Sequence, residues 1–464
     1  MIQLIRIIAL SVFVMLVDGN VYRLLAQNRI IEISEKKIAS FEDSLMITSL
    51  AVSPDCRRVA FAGLQGDKVV MVVDGVEPES FNGIINVGTV FSPDVHRVAY
   101  YAIDGSKKLV VVDGKKGRRY DEIGTGSVTF SPDSRRVAYA VKRGEKAIVI
   151  VDGVEGIAYD NINELHFSPD SRRIAFVASK GKKWFVVVDG KEGQKYDEIR
   201  EGSVIFSPDS RRVAFDGKRG DKVFVVVDGI DGQFYDEIGI GSVTFSPDSR
   251  RVAYIVKKGE KPIVVVDGVE GTAYDNIDGL VVSPDSRSIA YAASKGDKWF
   301  VVVNGIEGAA YDGIGSGFLM LSPDSRRVAY AARKGDKWFV VADGVEGTAY
   351  EGIGAGSLMF SPDSRRVAYG AIKNGAMLVS VDGTEELVYD ALISGSLTFS
   401  PDSRKVAYGA MKGGAKLIIL DGAECFAYDG LVHKSRIVFD SSDQLHYLQG
   451  KGNDINLMEV KLAQ

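Results

Sequence analysis

The chain has 464 residues, 45% of them hydrophobic and 26% charged, with 57 basic residues against 62 acidic ones and a net charge of −5. That balance argues against a nucleic-acid partner, and a chain with only two cysteines, Cys56 and Cys425, is excluded from the disulfide-framework class. Length alone suggests two or three domains, but the 51 glycines recur at regular turn positions, which points to one repeated unit instead.

The first segment stands apart from the rest. After Arg6, residues 7–17 form an apolar run interrupted by one serine and closed by Asp18, Gly19 and Asn20. Such a run is short for a bilayer span and suits the apolar region of a signal peptide, with Ala26 as the best cleavage candidate. We therefore expect residues 1–27 to be a signal peptide or anchor, residues 28–464 to be the folded array, and the protein to be exported to the periplasm or secreted. Contact with a membrane is expected only through an uncleaved N-terminal anchor.

From there the phrase Ser-Pro-Asp recurs ten times, beginning at Ser53, Ser92, Ser131, Ser168, Ser207, Ser246, Ser283, Ser322, Ser361 and Ser400. The steps are 39, 39, 37, 39, 39, 37, 39, 39 and 39 residues, and a worn eleventh copy follows at 439–443. A fixed period of this size is one supersecondary unit. In the third repeat, 127–130 reads as a short strand, and Ser131 to Ser134 as a turn with proline presetting φ. Residues 137–141 form a second strand, 147–151 a β-branched third after a glycine hairpin, and 157–162 a fourth after Asp152-Gly153. Four antiparallel strands in 39 residues describe one blade of a β-propeller.

The chain ends fit that reading. The eleventh copy offers three strands only, whereas 37–42 ahead of the first Ser-Pro-Asp supplies a spare one whose Phe41-Glu42 aligns with the Tyr-Asp of each fourth strand. Pairing the two would close the array and remove a sheet edge. The expected fold is thus all-β, about eleven four-stranded blades closed by an N-terminal strand. We favour two smaller rings, such as five and six blades, over one large ring, because eleven blades around one axis leave a broad channel to fill or hydrate. The 37-residue step returns every third repeat, so a cassette of 115 residues maps repeat three onto six and four onto seven.

The phrase Phe-Ser-Pro-Asp-Ser-Arg-Arg-Val-Ala-Tyr, intact from Phe130, Phe245 and Phe360, resembles the WD-like repeat of TolB-type propellers. The resemblance covers the array from about residue 37 and implies an exported binding propeller. It does not extend to the α/β domain that precedes the TolB propeller, and the repeat occurs in scaffolds, adaptors and peptidase gating domains alike.

No catalytic set is legible. A prolyl-oligopeptidase-type hydrolase needs a Gly-x-Ser-x-Gly elbow, and strings such as 313–317 lack its spacing. Four histidines, His96, His166, His433 and His446, fall at unrelated repeat positions, so a histidine–cysteine metal site is not expected. His166, on a first strand near the expected channel, is read first as an ordinary packing or solvated residue and second as a functional one. The aspartates of the Asp-Gly turns (Asp152, Asp189, Asp228 and their equivalents) and of the Tyr-Asp pairs (Asp121, Asp160, Asp197 and theirs) could form a ring of Ca²⁺ sites. They are sparser than a calcium loop, and turn chemistry with arginine ion pairs accounts for them, so we expect no cofactor or metal.

The hairpin after the second strand is lysine-rich, and all three tryptophans, Trp184, Trp299 and Trp338, follow it. Together with Lys142, Lys183, Lys258 and Lys337 they are the candidate binding residues, since aromatics beside cations recur in contact hot spots. The competing reading packs each tryptophan between blades. The expected function is a non-enzymatic binding or scaffold protein for a protein or cell-envelope partner, the alternative a lectin-like carbohydrate binder or a hydrolase using pockets between blades.

Overall fold

The computed structural model describes residues 13–18, 21–26, 29–40, 46–66, 68–76, 80–84, 89–124, 126–428, 430–433 and 435–462. Among them every regular element is a strand, and the strands fall into eleven small antiparallel sheets. In the third blade Val137–Arg143 pairs with Lys146–Val151, which pairs with Val154–Tyr159, while Glu122–Ile123 and Thr129–Phe130 share the inner edge. The turns mark the blades as read, but the fourth strand is shifted: it runs Val154–Tyr159, and Asn161 and Ile162, expected in it, pair with Ser179 and Ala178 as the start of blade four's inner strand.

The blades form one ring, not two. Each consecutive pair shares an apolar cluster, including blades five and six (Ala214 and Val225 against Tyr254 and Val265), where a division into rings of five and six would fall. The last blade packs on the first through Leu448, Ile455 and Leu457 against Val59, Phe61 and Val72. The preference for two rings is therefore corrected, and the larger alternative holds. The physical reason lies in the junctions: each repeats the same contacts, so none can open without exposing buried surface.

Those contacts explain the repeated phrase. The Ser131 hydroxyl accepts from the Arg136 amide and donates to Asp133 Oδ1 (2.6 Å), which holds the turn. The Asp133 amide then donates to Ser171 Oγ, in the equivalent turn of the next blade (2.8 Å). The same bond recurs from Asp94 to Ser134, Asp170 to Ser210 and on to Asp363 and Ser403. Ser134 and its equivalents sit at φ near +65°, where a short polar residue is tolerated. At the Asp-Gly turn both Asp152 and Gly153 have positive φ, the conformation a type I′ hairpin demands. Asp152 accepts from the Val137 amide and pairs with Arg136 Nε (3.0 Å).

On the opposite face the Tyr-Asp pair does related work. Tyr120, Tyr159, Tyr196, Tyr235, Tyr274, Tyr311, Tyr350 and Tyr389 are all buried, several meeting an aromatic ring of the next blade edge-on, as Tyr311 meets Tyr330 at 6.0 Å. In blades two to seven the following aspartate bridges two hairpins: Asp160 takes Lys146 of its own blade (2.5 Å) and the Gly181 amide of the next (2.6 Å). These partners hold the Asp160 carboxyl below the usual range, Lys146 first.

The 37-residue step has a structural cause. Blades four and seven carry an uninterrupted inner strand, Asn161–Phe167 and Asn276–Val282, whereas their neighbours split it around a four-residue turn such as Gly239 to Ser242. In the split blades a serine hydroxyl replaces the lost ladder partner, as Ser127 Oγ does for the Ala140 amide.

Closure follows the expected route. Arg29–Ser40 pairs with Asp454–Leu462, from Ile31 opposite Leu462 to Ser40 opposite Asp454, and completes blade eleven. Phe41 and Glu42, the residues aligned from sequence, lie outside the described residues. Two further strands, Val21–Ala26 and Phe13–Asp18, extend the same sheet outwards. Across the seam His446, 1% exposed, joins Asp440 (2.9 Å) and the Asp55 carbonyl (2.6 Å), while Arg57 pairs with Asp440 and Glu459 at 2.9 Å each.

Candidate binding site

The lysine-rich hairpins lie on the Tyr-Asp face, as the aspartate bridges require. Trp184, Trp299 and Trp338 each stand second in a third strand, bridged to the buried tyrosine that follows the fourth: Trp184 with Tyr196, Trp299 with Tyr311 and Trp338 with Tyr350. All three are half-buried. Trp184 packs against the cluster between blades four and five, and Trp338 against that between eight and nine. The ring places Trp299 and Trp338 in adjacent blades but Trp184 three blades away, so the three do not form one patch. Their lysines are partly committed: Lys183 pairs with Asp197 (2.5 Å) and Lys258 with Glu270 (3.0 Å), while Lys142 and Lys337 are exposed.

A second location emerges only in three dimensions. On the inner side of blades four to six, four residues depart from the repeat and converge. Glu164, its side chain 6% exposed, sits at the bulge of the uninterrupted inner strand, where φ is +49°. Its carboxylate reaches the split turn of blade five and accepts from the amides of Gly202 (2.6 Å) and Val204 (3.1 Å). His166, on the same strand and half exposed, has Nε2 3.6 Å from Glu164 Oε2.

In that turn stands Arg200, where most split blades have glycine. Its guanidinium donates to the Ile238 carbonyl of blade six (2.7 Å) and lies 3.6 Å from Asp216 Oδ2. Asp216 occupies a second-strand position that is alanine in blades three and eight. It is 4% exposed, and its Oδ1 is buried without a hydrogen-bond partner. Burial pushes the Asp216 carboxyl up to about 6, opposed by Arg200 and reinforced by Glu164. A buried carboxylate with an open acceptor atom is costly to a fold, and perturbed acids cluster where binding or chemistry occurs.

Sequence reasoning named His166 and gave it only second place as a functional residue, and it missed Glu164, Arg200 and Asp216. The signal was present: each breaks a repeat that its duplicate 115 residues later keeps as Gly279, Gly315 and Ala331, with Val281 opposite His166.

No protein-family model matches the chain, and no curated protein matches its sequence. Solved structures that it resembles include β-propeller domains. They include a eukaryotic initiation factor (13% identity, 72% of this chain and 95% of that one, TM-score 0.40). TolB from Acinetobacter baumannii matches at 14% identity over 57% of this chain and 77% of that one, with a TM-score of 0.25. The β-propeller domain of the Trilobed protease from Pyrococcus furiosus, described as having an open velcro topology, matches at 10% identity over 75% and 96%, with a TM-score of 0.29. At these values the likeness extends to the fold alone, and the eleven-blade ring rests on this chain's own pairing.

Proposed function

We propose that the chain is an exported, non-enzymatic propeller of the TolB-like repeat type that binds a protein or cell-envelope partner. One observation carries this reading: the inner side of blades four and five bears Glu164, His166, Arg200 and Asp216, a polar set that the scaffold does without in its duplicate. Residues kept at a cost to stability are the ones a binding function retains. The apolar stretch 7–17 supports export, and an intact mass beginning near Gln27 in the host's outer compartment is the expected check.

The binding test compares the wild-type chain with a reversion that restores the duplicate's residues, Glu164→Gly, His166→Val, Arg200→Gly and Asp216→Ala. The immobilised wild type should retain one envelope component that the folded reversion loses at least tenfold. Equal retention would remove the cluster from the binding function, and turnover of generic hydrolase substrates by the wild type would remove the non-enzymatic reading.

A carbohydrate ligand is the second reading, favoured by a cavity of about 510 Å³ between blades six and seven. Glu237, Ser242, Lys257, Asn276 and Asp278 line it, a polar set that suits hydroxyl groups. Oligosaccharide binding lost on Asp278→Ala would move the function to this cavity.

A further inference from the structure

One outer strand is charged unlike its copies. After the Asp-Gly turn of blade two the chain carries Lys115, Lys116, Arg118 and Arg119, all exposed. Their counterparts 115 residues on, in blade five, are Ile230, Asp231, Gln233 and Phe234. A further 115 residues on, in blade eight, they are Val345, Glu346, Thr348 and Ala349. Four positive charges thus stand where each copy has one negative charge, in a chain of net charge −5.

The scaffold does not ask for them. Blades five and eight hold this strand with one ion pair each, Arg219 with Asp231 and Lys334 with Glu346. At those positions blade two has the reversed signs, Asp104 and Lys116, and it adds three more cations. Arg119 pairs with Asp104 (2.5 Å) and Arg118 with Glu155 of blade three (3.1 Å), a carboxylate that Arg143 also holds at 2.6 Å. Two shared carboxylates against four cations leave the strand positive. Lysines on a sheet edge can guard against aggregation, but the copies expose Ile230 (74%) and Val345 (71%) on the same edge without such a guard.

The geometry is that of an open edge. Lys115–Lys116 pairs with Val111 and Val112 and is the outermost strand of its sheet. The cations flank that edge on both faces: Lys116 Nζ lies over the Phe81 ring of blade one (4.9 Å), whereas Arg118 turns to blade three. A strand laid along the edge alternates its own side chains between the same two faces. A flat anionic surface meets only one of them.

We propose that the outer edge of blade two takes an extended acidic peptide segment of a partner. Its backbone pairs with Lys115 and Lys116, and its carboxylates face the four cations. This surface is separate from the cluster in blades four and five, so either can fail alone.

The test uses the whole chain and a capped decapeptide alternating glutamate with threonine, followed by fluorescence anisotropy and amide hydrogen exchange. One peptide should bind per chain, at least tenfold tighter than its glutamine analogue, with affinity falling as salt rises. Amides of residues 115–119 should gain protection. A reversion to blade eight's residues, Asp104→Lys, Lys115→Val, Lys116→Glu, Arg118→Thr and Arg119→Ala, should lose binding at least tenfold. The milder pair Lys115→Gln and Arg118→Gln should lose it severalfold, so the proposal does not depend on the reversion folding. Equal affinity for the glutamine analogue, unchanged binding by either folded variant, or binding without protection of 115–119 would each overturn it. Binding to vesicles of phosphatidylglycerol and phosphatidylcholine with none to the peptide would overturn it in favour of a lipid surface.

Discussion

Blades four and five and blades seven and eight are copies of one another, 115 residues apart, and they solve the same packing problem with different chemistry on the channel side. Both junctions bury the tyrosine of a Tyr-Asp pair, Tyr196 and Tyr311, against an aromatic ring of the following blade. Both bond a turn serine to the preceding aspartate amide, Ser210 to Asp170 and Ser325 to Asp285. Both start with an asparagine bonded to a serine hydroxyl at 3.0 Å, Asn161 to Ser179 and Asn276 to Ser294. Yet the first pair carries Glu164, His166, Arg200 and Asp216 where the second has Gly279, Val281, Gly315 and Ala331. The second pair shows that the scaffold needs none of the four side chains, so their presence in the first is information about use rather than folding.

The shared part of the comparison should respond equally in both copies, and most strongly. Tyr196→Ala and Tyr311→Ala each remove a fully buried ring and should cost about 3–5 kcal/mol. Chemical denaturation of the two variants checks this, and a difference well beyond about 1 kcal/mol would mean that the copies are not mechanically equivalent.

The unshared part should respond with opposite signs. The folded state raises the Asp216 carboxyl to about 6 from an ordinary value of 3.8, so it holds this proton more tightly than the unfolded chain does. That contribution is full below about pH 4 and is lost as pH rises through about 6. Above that range the ionised, buried carboxylate lowers stability by about 2–3 kcal/mol. Asp216→Ala should therefore raise the melting temperature at pH 7.5 and leave it nearly unchanged at pH 4, while Ala331→Asp should do the reverse to the other copy. Melting curves across pH 4–8 that run parallel for wild type and Asp216→Ala would break the comparison.

A smaller effect is expected at Glu164. Glu164→Gln keeps the side chain's length but offers one acceptor to two amides, and should cost about 1 kcal/mol. Its counterpart Gly279 sits at φ +63°, where any side chain costs about 1–2 kcal/mol in backbone strain, so Gly279→Gln should be destabilising with no turn amide involved. An unchanged melting temperature for Glu164→Gln would mean that the Glu164 carboxylate is not capping the turn.

The tryptophans sharpen the comparison from the other face. Trp184 and Trp299 are counterparts, both half-buried, so Trp184→Ala and Trp299→Ala should each cost about 1–2 kcal/mol in stability, below the figure for a fully buried ring. Unchanged stability with reduced partner binding in Trp299→Ala alone would restore the lysine-rich face as the contact surface.

Much of the fold was legible from residues alone, because a repeat prints its own period. The Ser-Pro-Asp spacing marked each blade, Asp152-Gly153 marked a type I′ turn, and the missing last strand announced closure by the N-terminal segment. These are local facts: turn φ values and strand alternation depend on neighbours in sequence. The ring number was not local. Whether blade five packs on blade six or returns to blade one depends on side chains more than a hundred residues apart, and near-identical junctions look the same on paper in either arrangement. The charged cluster stayed hidden for a related reason. Glu164, Arg200 and Asp216 lie on an inner strand, a split turn and a second strand of two blades, at unrelated positions within their repeats. Only closing those blades against each other brings the carboxylates and the guanidinium together, and only burial there leaves Asp216 with an acceptor that no neighbour fills.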